Sequence, residues 1–528
     1  MIYFFQKKLR KKLREEWENP IRWGRDFTSI RSLFESTFPD PKSSIIDEKT
    51  WDDLDMGSVF RKIDTTHTSV GQQYLYRKMR LLQVPGGKLE DDYRVARLLQ
   101  EDREVREKLQ ICLKGVKEGD ASIVTRMLFK KFPEVSLSKV AIVIWSMLSV
   151  FTLVFSALIG GFFLILIPLI VGINFAISRY FENATDKITY VFYYLYNIVA
   201  TSERIANLDI SHDIPDYREL KQNKSSIRTI RNLLKLLSVS QNHEGIIINN
   251  AMYLLNLVIL YDLLIYSFSI KRIIRYQEII KKCYLAIGAI DTNIAISSYI
   301  YRHKSICNPK LGAAHKIELV DTYHPLIEDY VANSFSTAGA SALVTGSNMA
   351  GKTTFIKTIG VNLILARTLW FCHATQANLP ILDVFSSIKT EDGLEEGKSF
   401  YFSELERLNE FLKITEKGGN CLFLIDEIYR GTNTVERVAG AAAVLQELAS
   451  NSIVFVTTHD IELATYLRKQ YEMWYFEETG STTHPFDYKL RSGVCETRNA
   501  LKLMDNIGYP KHITKHAVEL AKKMEDEG

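Results

Sequence analysis

Apolar and polar positions follow three regimes along this chain. Over residues 51–130 apolar positions recur at helical spacing among many charges. Within that region WDDLDMGSVFRKIDTTHTSVGQQYLYRKMRLL (51–82) reads as helix, turn, helix, with Thr68 or Ser69 as the cap of the second helix and Gly71 in its first turn. From Val140 to Ser178 no charged residue occurs. Such a run makes about 58 Å of helix against a hydrocarbon core of about 30 Å, too long for one crossing and enough for two. The pattern predicts a transmembrane helical hairpin over 139–178, turning at Gly160-Gly161. Lys130, Lys131 and Lys139 at one end and Arg179 at the other place both ends on the cytoplasmic side. Residues 245–270 are also apolar but carry Asn249, Asn250, Asn256 and Asp262. A third crossing would carry the rest of the chain outside, so this stretch is expected to be a long buried helix of a helical domain covering about 181–305.

From about residue 315 the period changes. Ala342–Thr345, Cys421–Ile425 and Ile453–Thr457 are short, β-rich runs bounded by turn signals and separated by helical segments, as buried parallel strands are. The pattern predicts a P-loop α/β domain; with the resemblance given below, the expected fold is an α/β P-loop (ABC-type) ATPase domain behind a mostly α-helical core and lever domain, itself interrupted by the hairpin. The boundaries expected on that basis are a basic amphipathic segment (1–50), helical domain first part (51–138), hairpin (139–178), helical domain second part (179–315), ATPase domain (316–480) and a C-terminal helical segment (481–528) that the resemblance assigns to dimerisation.

Composition adds little to this picture. A chain of 528 residues with 46% hydrophobic content holds two to four domains with large cores. A net charge of +4 gives no argument for nucleic acid. Six cysteines, far apart and without a CxxC pair, argue against a zinc ribbon or a disulfide framework and fit a reducing compartment. The chain opens apolar (MIYFF) and turns basic at Lys7, Lys8, Arg10, Lys11, Lys12 and Arg14, the reverse of a secretory signal. Residues 1–25 read either as an amphipathic helix on an anionic membrane surface or as a solvated charged helix.

The chemistry gathers behind the strands. Gly346-Ser347-Asn348-Met349-Ala350-Gly351-Lys352-Thr353 has the GxxxxGK[ST] spacing, between the β run and a helix-compatible segment that begins at Thr354. Glycines let the backbone wrap a phosphate, successive N–H groups form an anion nest, and the helix adds its positive end. Lys352 is expected to reach the β- and γ-phosphates of a nucleoside triphosphate, and Thr353 to ligate Mg²⁺. Cys421–Glu427 is a buried strand ending in two acids. Asp426 is expected to hold Mg²⁺, and Glu427 to polarise the attacking water. His459, after the next strand, sits where a γ-phosphate sensor belongs.

TGSNMAGKTT, LIDEIYRGTNT and VTTHDIELA together closely resemble the ATPase domain of the MutS family of DNA mismatch-repair proteins, whose pattern reads TGxNMxGKST, DEIGRGTST, ATH. His324-Pro325-Leu326-Ile327-Glu328 resembles the family's HPxxE, which places Tyr330 at its adenine-stacking aromatic. Gly397–Glu404 (GKSFYFSE) resembles its GRSTFxxE loop. That match implies that Ser399 contacts the nucleotide of the opposite subunit, and hence a homodimer with composite ATPase sites. Arg491-Ser492-Gly493, Asn499-Ala500 and Gly508-Tyr509-Pro510 resemble the dimerisation segment, and Asp64–Met79 the start of the core helical domain (D.T.T.MG...L). The resemblance implies hydrolysis of ATP with Mg²⁺, helical levers, and DNA as a partner in mismatch repair, here at the membrane with the ATPase domain in the cytoplasm. Ala350 stands for the family's Gly, Thr353 for Ser, and Tyr429 for the Gly of DEIGRG. About fifty residues precede the core-like segment, too few for the family's mismatch-recognition and connector domains. Phe132-Pro133-Glu134 matches the recognition wedge Phe-x-Glu by chance, in a chain with 27 Phe. Two alternatives compete. An ABC-type transporter subunit lacks support, since no LSGGQ-like stretch lies between the two phosphate-site motifs. An ATP-switched membrane scaffold conflicts with the intact Asp426-Glu427 pair.

Overall fold

The computed structural model describes residues 2–20, 26–37, 44–116, 121–130, 139–160, 165–237, 254–312, 316–337, 339–347, 349–388, 400–418, 420–429, 433–478, 486–494 and 508–527. Asn348, Ser399, Phe132-Pro133-Glu134 and Asn499-Ala500 lie outside these residues, as do 245–253. The chain is mostly helical with mixed sheets, and it divides into two compact units.

The first unit comprises Met1–Phe38, Asp64–Arg77 and Arg94–Arg302 and is helical. Its frame is a pair of long helices packed on each other, Leu166–Ala206 and Tyr261–Arg302. Leu195, Ile198, Val199, Tyr284 and Ile287 are among the apolar side chains buried in its core. Thr68 caps the helix Ser69–Arg80 as expected, its hydroxyl accepting the Gly71 N–H at 2.9 Å. The buried Asp291 completes the cap from the other long helix, accepting the backbone N–H of His67 (2.9 Å) and Thr68 (2.8 Å). A Cβ at Gly71 would collide with the Asp291 carboxylate, so the glycine is needed for close approach.

The structure corrects three expectations for this unit. The hairpin's second helix does not stop near 178 but runs unbroken from Leu166 to Ala206. Residues 254–270 are not one continuous helix: residues 254–259 are helical, Leu260 is left-handed (φ 50°), and a new helix starts at Tyr261. The N-terminal helix Ile2–Glu18 turns Leu13 and Trp17 into the unit's interior, where the Arg106 guanidinium lies 3.8 Å from the Trp17 ring centroid. Its Arg14 pairs with the buried Glu107 at 2.7 Å. Hairpin residues Val140–Ile159 form a helix long and apolar enough to cross a membrane, with Leu158 82% exposed. Ile270–Arg302 passes the same length and composition test, but its most apolar 18 residues are 94% buried, as those of a core helix are.

The second unit comprises Pro39–Ile63, Lys78–Tyr93 and His303–Gly528. Its strands are β1 (Ser44–Ile45), β2 (Leu81–Leu82), β3 (Lys310–Gly312), β4 (Glu318–Thr322), β5 (Asn333–Ser336), β6 (Ser341–Thr345), β7 (Gln376–Pro380), β8 (Asp383–Ser387), β9 (Cys421–Asp426), β10 (Ile453–Thr457), β11 (Tyr471–Glu478) and β12 (Phe486–Ser492). The main sheet has six strands in the order β12-β11-β6-β10-β9-β8, parallel except for the edge strand β12. β6, β9 and β10 are buried along their whole length, which is why their sequences are continuous apolar runs. A four-stranded sheet, β3-β7-β4-β5, and the β1-β2 ribbon complete the unit.

Residues 44–63 and 78–93 therefore belong with the α/β part, not with the helical domain expected over 51–138. Long-range contacts hold them there. Leu54 packs where a Cβ on Gly360 of the helix Lys352–Thr368 would meet it at 3.0 Å. The fully buried Asp53 carboxylate accepts the Ser386 hydroxyl (2.8 Å) and the Ile388 N–H (2.9 Å). Asp55 pairs with Lys357 at 2.8 Å on that same helix.

Candidate functional site

The site forms where the parallel strands end. β6 leads into Gly346, whose φ of 136° and approach to the Phe476 carbonyl (2.5 Å from an added Cβ) admit only glycine. Met349 (φ 71°) and Gly351 (φ 107°) also adopt left-handed backbone, and the helix begins at Lys352. Ser347, Ala350 and Thr354 fall on the same loop and first turn. The Lys352 side chain is buried and curls into the loop: its Nζ donates to the carbonyls of Gly346 (2.6 Å) and Ser347 (3.0 Å). It also lies 3.4 Å from both ring nitrogens of His459.

The two acids sit at the end of β9, beside β10. The Thr353 hydroxyl donates to both carboxylate oxygens of Asp426 at 3.0 Å, and the Thr457 hydroxyl donates to one of them. A carboxylate and two hydroxyls are hard oxygen donors, the set that suits Mg²⁺. Among the described residues no group of three or more His, Cys, Asp or Glu could hold a metal by itself. Glu427 has left-handed backbone (φ 54°) fixed by its N–H donating to the Thr457 carbonyl at 3.0 Å. Its Oε1 lies 2.5 Å from His459 Nε2. Lys352, Thr353, Asp426, Glu427 and His459 thus converge from three segments of sequence.

Beside this cluster opens a cleft of about 440 Å³ that reaches Lys352 and Thr353 on one side and Tyr330 on the other. Tyr330 is stacked on Tyr323, with ring centroids 3.9 Å apart and planes within 10°. A flat, partly exposed ring (39%) at the far end of a cleft that begins at a phosphate loop can stack a base. Tyr323, its buried support, was not expected from sequence; the only signal is an aromatic immediately before His324-Pro325. Burial pushes the neighbouring His324 down to about 4, the charges of Lys357 and Lys62 adding to the effect. Thr457 and Asn333 were also not foreseen. Asn333 clamps the cleft's Tyr488 by donating to its carbonyl (2.9 Å) and accepting the Leu490 N–H (2.8 Å).

The structure also accounts for Tyr429. Its φ is 62°, the left-handed region that favours glycine, which is why the related pattern carries Gly there. Here the strain is held by packing. The Tyr429 ring is 7% exposed, lies edge-on to Tyr401 with centroids 6.0 Å apart, and covers Gly440. Its N–H donates to Glu404 Oε1 at 2.7 Å. Burial pushes its hydroxyl up to about 12, helped by Glu404 and Tyr401.

This is an α/β domain with a glycine-rich loop and a strand-end carboxylate pair at the C-terminal ends of interior strands of a mostly parallel sheet. Residues 342–525 match the family model described as MutS domain V. The chain is 27% identical over 271 residues to the DNA mismatch repair protein MutS of Lactobacillus acidophilus, covering 48% of this chain and 31% of the relative. It is 28% identical over 258 residues to MutS of Thermus aquaticus (47% and 31%). It is 30% identical over 255 residues to Endonuclease MutS2 of Thermus thermophilus (46% and 33%). The matched stretch spans about a third of the length of these relatives.

Proposed function

We propose that this protein is a membrane-anchored, MutS-like ATPase that binds and hydrolyses ATP at composite sites in a homodimer. The observation that carries the reading is the convergence of Lys352, Thr353, Asp426, Glu427 and His459 at the ends of β6, β9 and β10. The loop N–H groups from Gly346 to Gly351 and the Lys352 ammonium hold the phosphate chain, and Tyr330 stacks the adenine. Thr353 and Asp426 hold Mg²⁺, which when bound neutralises charge developing on the phosphate oxygens. Glu427 accepts a hydrogen bond from the attacking water and aligns it with the γ-phosphate. His459, held against Glu427, fixes that carboxylate and senses the γ-phosphate together with Lys352. Ser399 of the partner subunit completes the site. The uncharged hairpin, with Lys139 and Arg179 at its ends and apolar side chains such as Met147 and Leu158 on its surface, anchors the chain and keeps the ATPase domain in the cytoplasm.

Lys352→Ala is expected to abolish ATP-dependent dimerisation, whereas Glu427→Gln is expected to keep ATP binding and lose hydrolysis. Normal hydrolysis by both variants would refute the site. Dimer closure is read as moving the lever helices, and the names of the relatives point that motion toward DNA. Titration of homoduplex and mismatched DNA, with and without ATP and across salt, tests that step; a salt slope near zero would exclude phosphate contacts and with them the DNA reading.

A further inference from the structure

The break at Leu260 lies against the hairpin, and the way its backbone is satisfied says what surrounds it. A helix ends with four carbonyls that have no intrahelical donor. In the short helix 254–259 every one of the last four is supplied. The Asn256 carbonyl accepts the Leu260 N–H at 3.0 Å. Asn174, on the hairpin's second helix, donates its amide to the carbonyls of Leu257 (2.8 Å) and Val258 (3.1 Å). Ser146, on the first hairpin helix, donates to the carbonyl of Ile259 at 2.8 Å. Asn174 in turn accepts the Trp145 indole N–H at 2.7 Å, so both ends of its amide are used. Asn256 reaches back to the Ser178 hydroxyl at 2.9 Å. Around this knot Leu260 and Leu263 pack with Ile142, Trp145 and Ile177.

A helix end in water needs no such arrangement, because solvent satisfies its carbonyls. In hydrocarbon an unsatisfied carbonyl is costly, and broken backbone persists only where protein supplies every partner. The outer surface agrees. Leu254 (60%) and Phe268 (57%) are exposed, as Leu158 of the hairpin is, while Asn174 is fully buried. The first cations after the break, Lys271 and Arg272, come only where the helix Tyr261–Arg302 has left this layer.

We propose that residues 254–270 are a third lipid-embedded segment, a broken helix plugged against the hairpin with acyl chains as its outer partner. The proposal rests on the hairpin reading. A segment that is embedded without crossing leaves the phosphate loop on the same side as Lys139 and Arg179.

The test uses full-length protein with Cys307 and Cys495 changed to Ser, reconstituted in phosphatidylcholine–phosphatidylglycerol vesicles. Nitroxide labels at Leu255→Cys, Phe268→Cys and, as hairpin reference, Leu158→Cys are compared for collision with oxygen and with a water-soluble nickel chelate. All three labels are expected to favour oxygen several-fold. Preference for the chelate at 255 and 268 alone overturns the proposal and leaves the hairpin standing. Preference for it at all three overturns the hairpin reading as well. Shielding of 255 and 268 from both reagents means that protein, such as a second copy, covers the face, and overturns lipid as its partner. Asn174→Leu is expected to mobilise the label at 255, and Asn174→Gln to restore it; an unchanged spectrum in Asn174→Leu overturns the carbonyl-capping argument.

Discussion

Tyr429→Gly sets two opposing effects against each other. Glycine relieves left-handed strain that costs a non-glycine residue about 1–2 kcal/mol. It also removes a ring that is 7% exposed and packed on Tyr401 and Gly440, and large-to-small aromatic changes in a core cost about 3–5 kcal/mol. The freed backbone adds about 0.5–1 kcal/mol of lost unfolded-state restriction. Packing wins, and the variant should be less stable by about 2–5 kcal/mol. For a unit of this size that lowers the melting midpoint by about 5–15 °C, measured by calorimetry on the purified protein. Tyr429→Phe, which keeps ring and backbone, is the control and should melt near the parent. A Tyr429→Gly protein that melts at or above the parent temperature would refute the argument, because strain would then outweigh the burial.

Two further outcomes follow from the α/β unit. Gly360→Ala places a methyl against Leu424 and Leu54, which should destabilise by about 1–3 kcal/mol; an unchanged melting midpoint would mean that residues 48–63 do not pack on the phosphate-loop helix. His324 and His373 are buried and held neutral, with burial the largest cause, at about 4 and about 3. Their folded values lie below the unfolded value of about 6.5, so stability is complete above pH 6.5 and falls as the unfolded chain takes up protons that the folded chain refuses. Each histidine removes up to about 1.4 kcal/mol per pH unit between pH 6.5 and its folded value. Denaturation midpoints measured from pH 7.5 to 5 should fall, and should fall less in His324→Gln; a flat profile would contradict the burial.

Much of the candidate site's geometry was legible because its causes are local. The glycine-rich loop, the strand that ends in Asp426-Glu427 and the strand before His459 each carry their signal within a dozen residues. The parallel pairing of β6, β10 and β9 brings the three together. The absence of charge from Val140 to Ser178 likewise marked the two apolar helical segments found there. Where the cause is distant, sequence reading went astray. Nothing near residues 44–63 announces that Leu54 meets Gly360 or that Asp53 is held by Ser386 and Ile388, partners more than three hundred residues away.

The sequence by itself placed the glycine-rich loop, the strand-end pair Asp426-Glu427 and His459, because residue type and spacing in each are local. It also marked the apolar run that the structure builds as the helix Lys139–Ile159 and the start of Leu166–Ala206. Only the tertiary structure decided what a tyrosine does in a glycine's place, because the sign of that backbone angle and the packing that holds it come from Tyr401, Glu404 and Gly440 together. It alone decided where the chain breaks near the hairpin. Leu260 stands in an apolar run with no glycine or proline beside it, and the helix stops there where Asn174 and Ser146 donate hydrogen bonds to the carbonyls of Leu257, Val258 and Ile259.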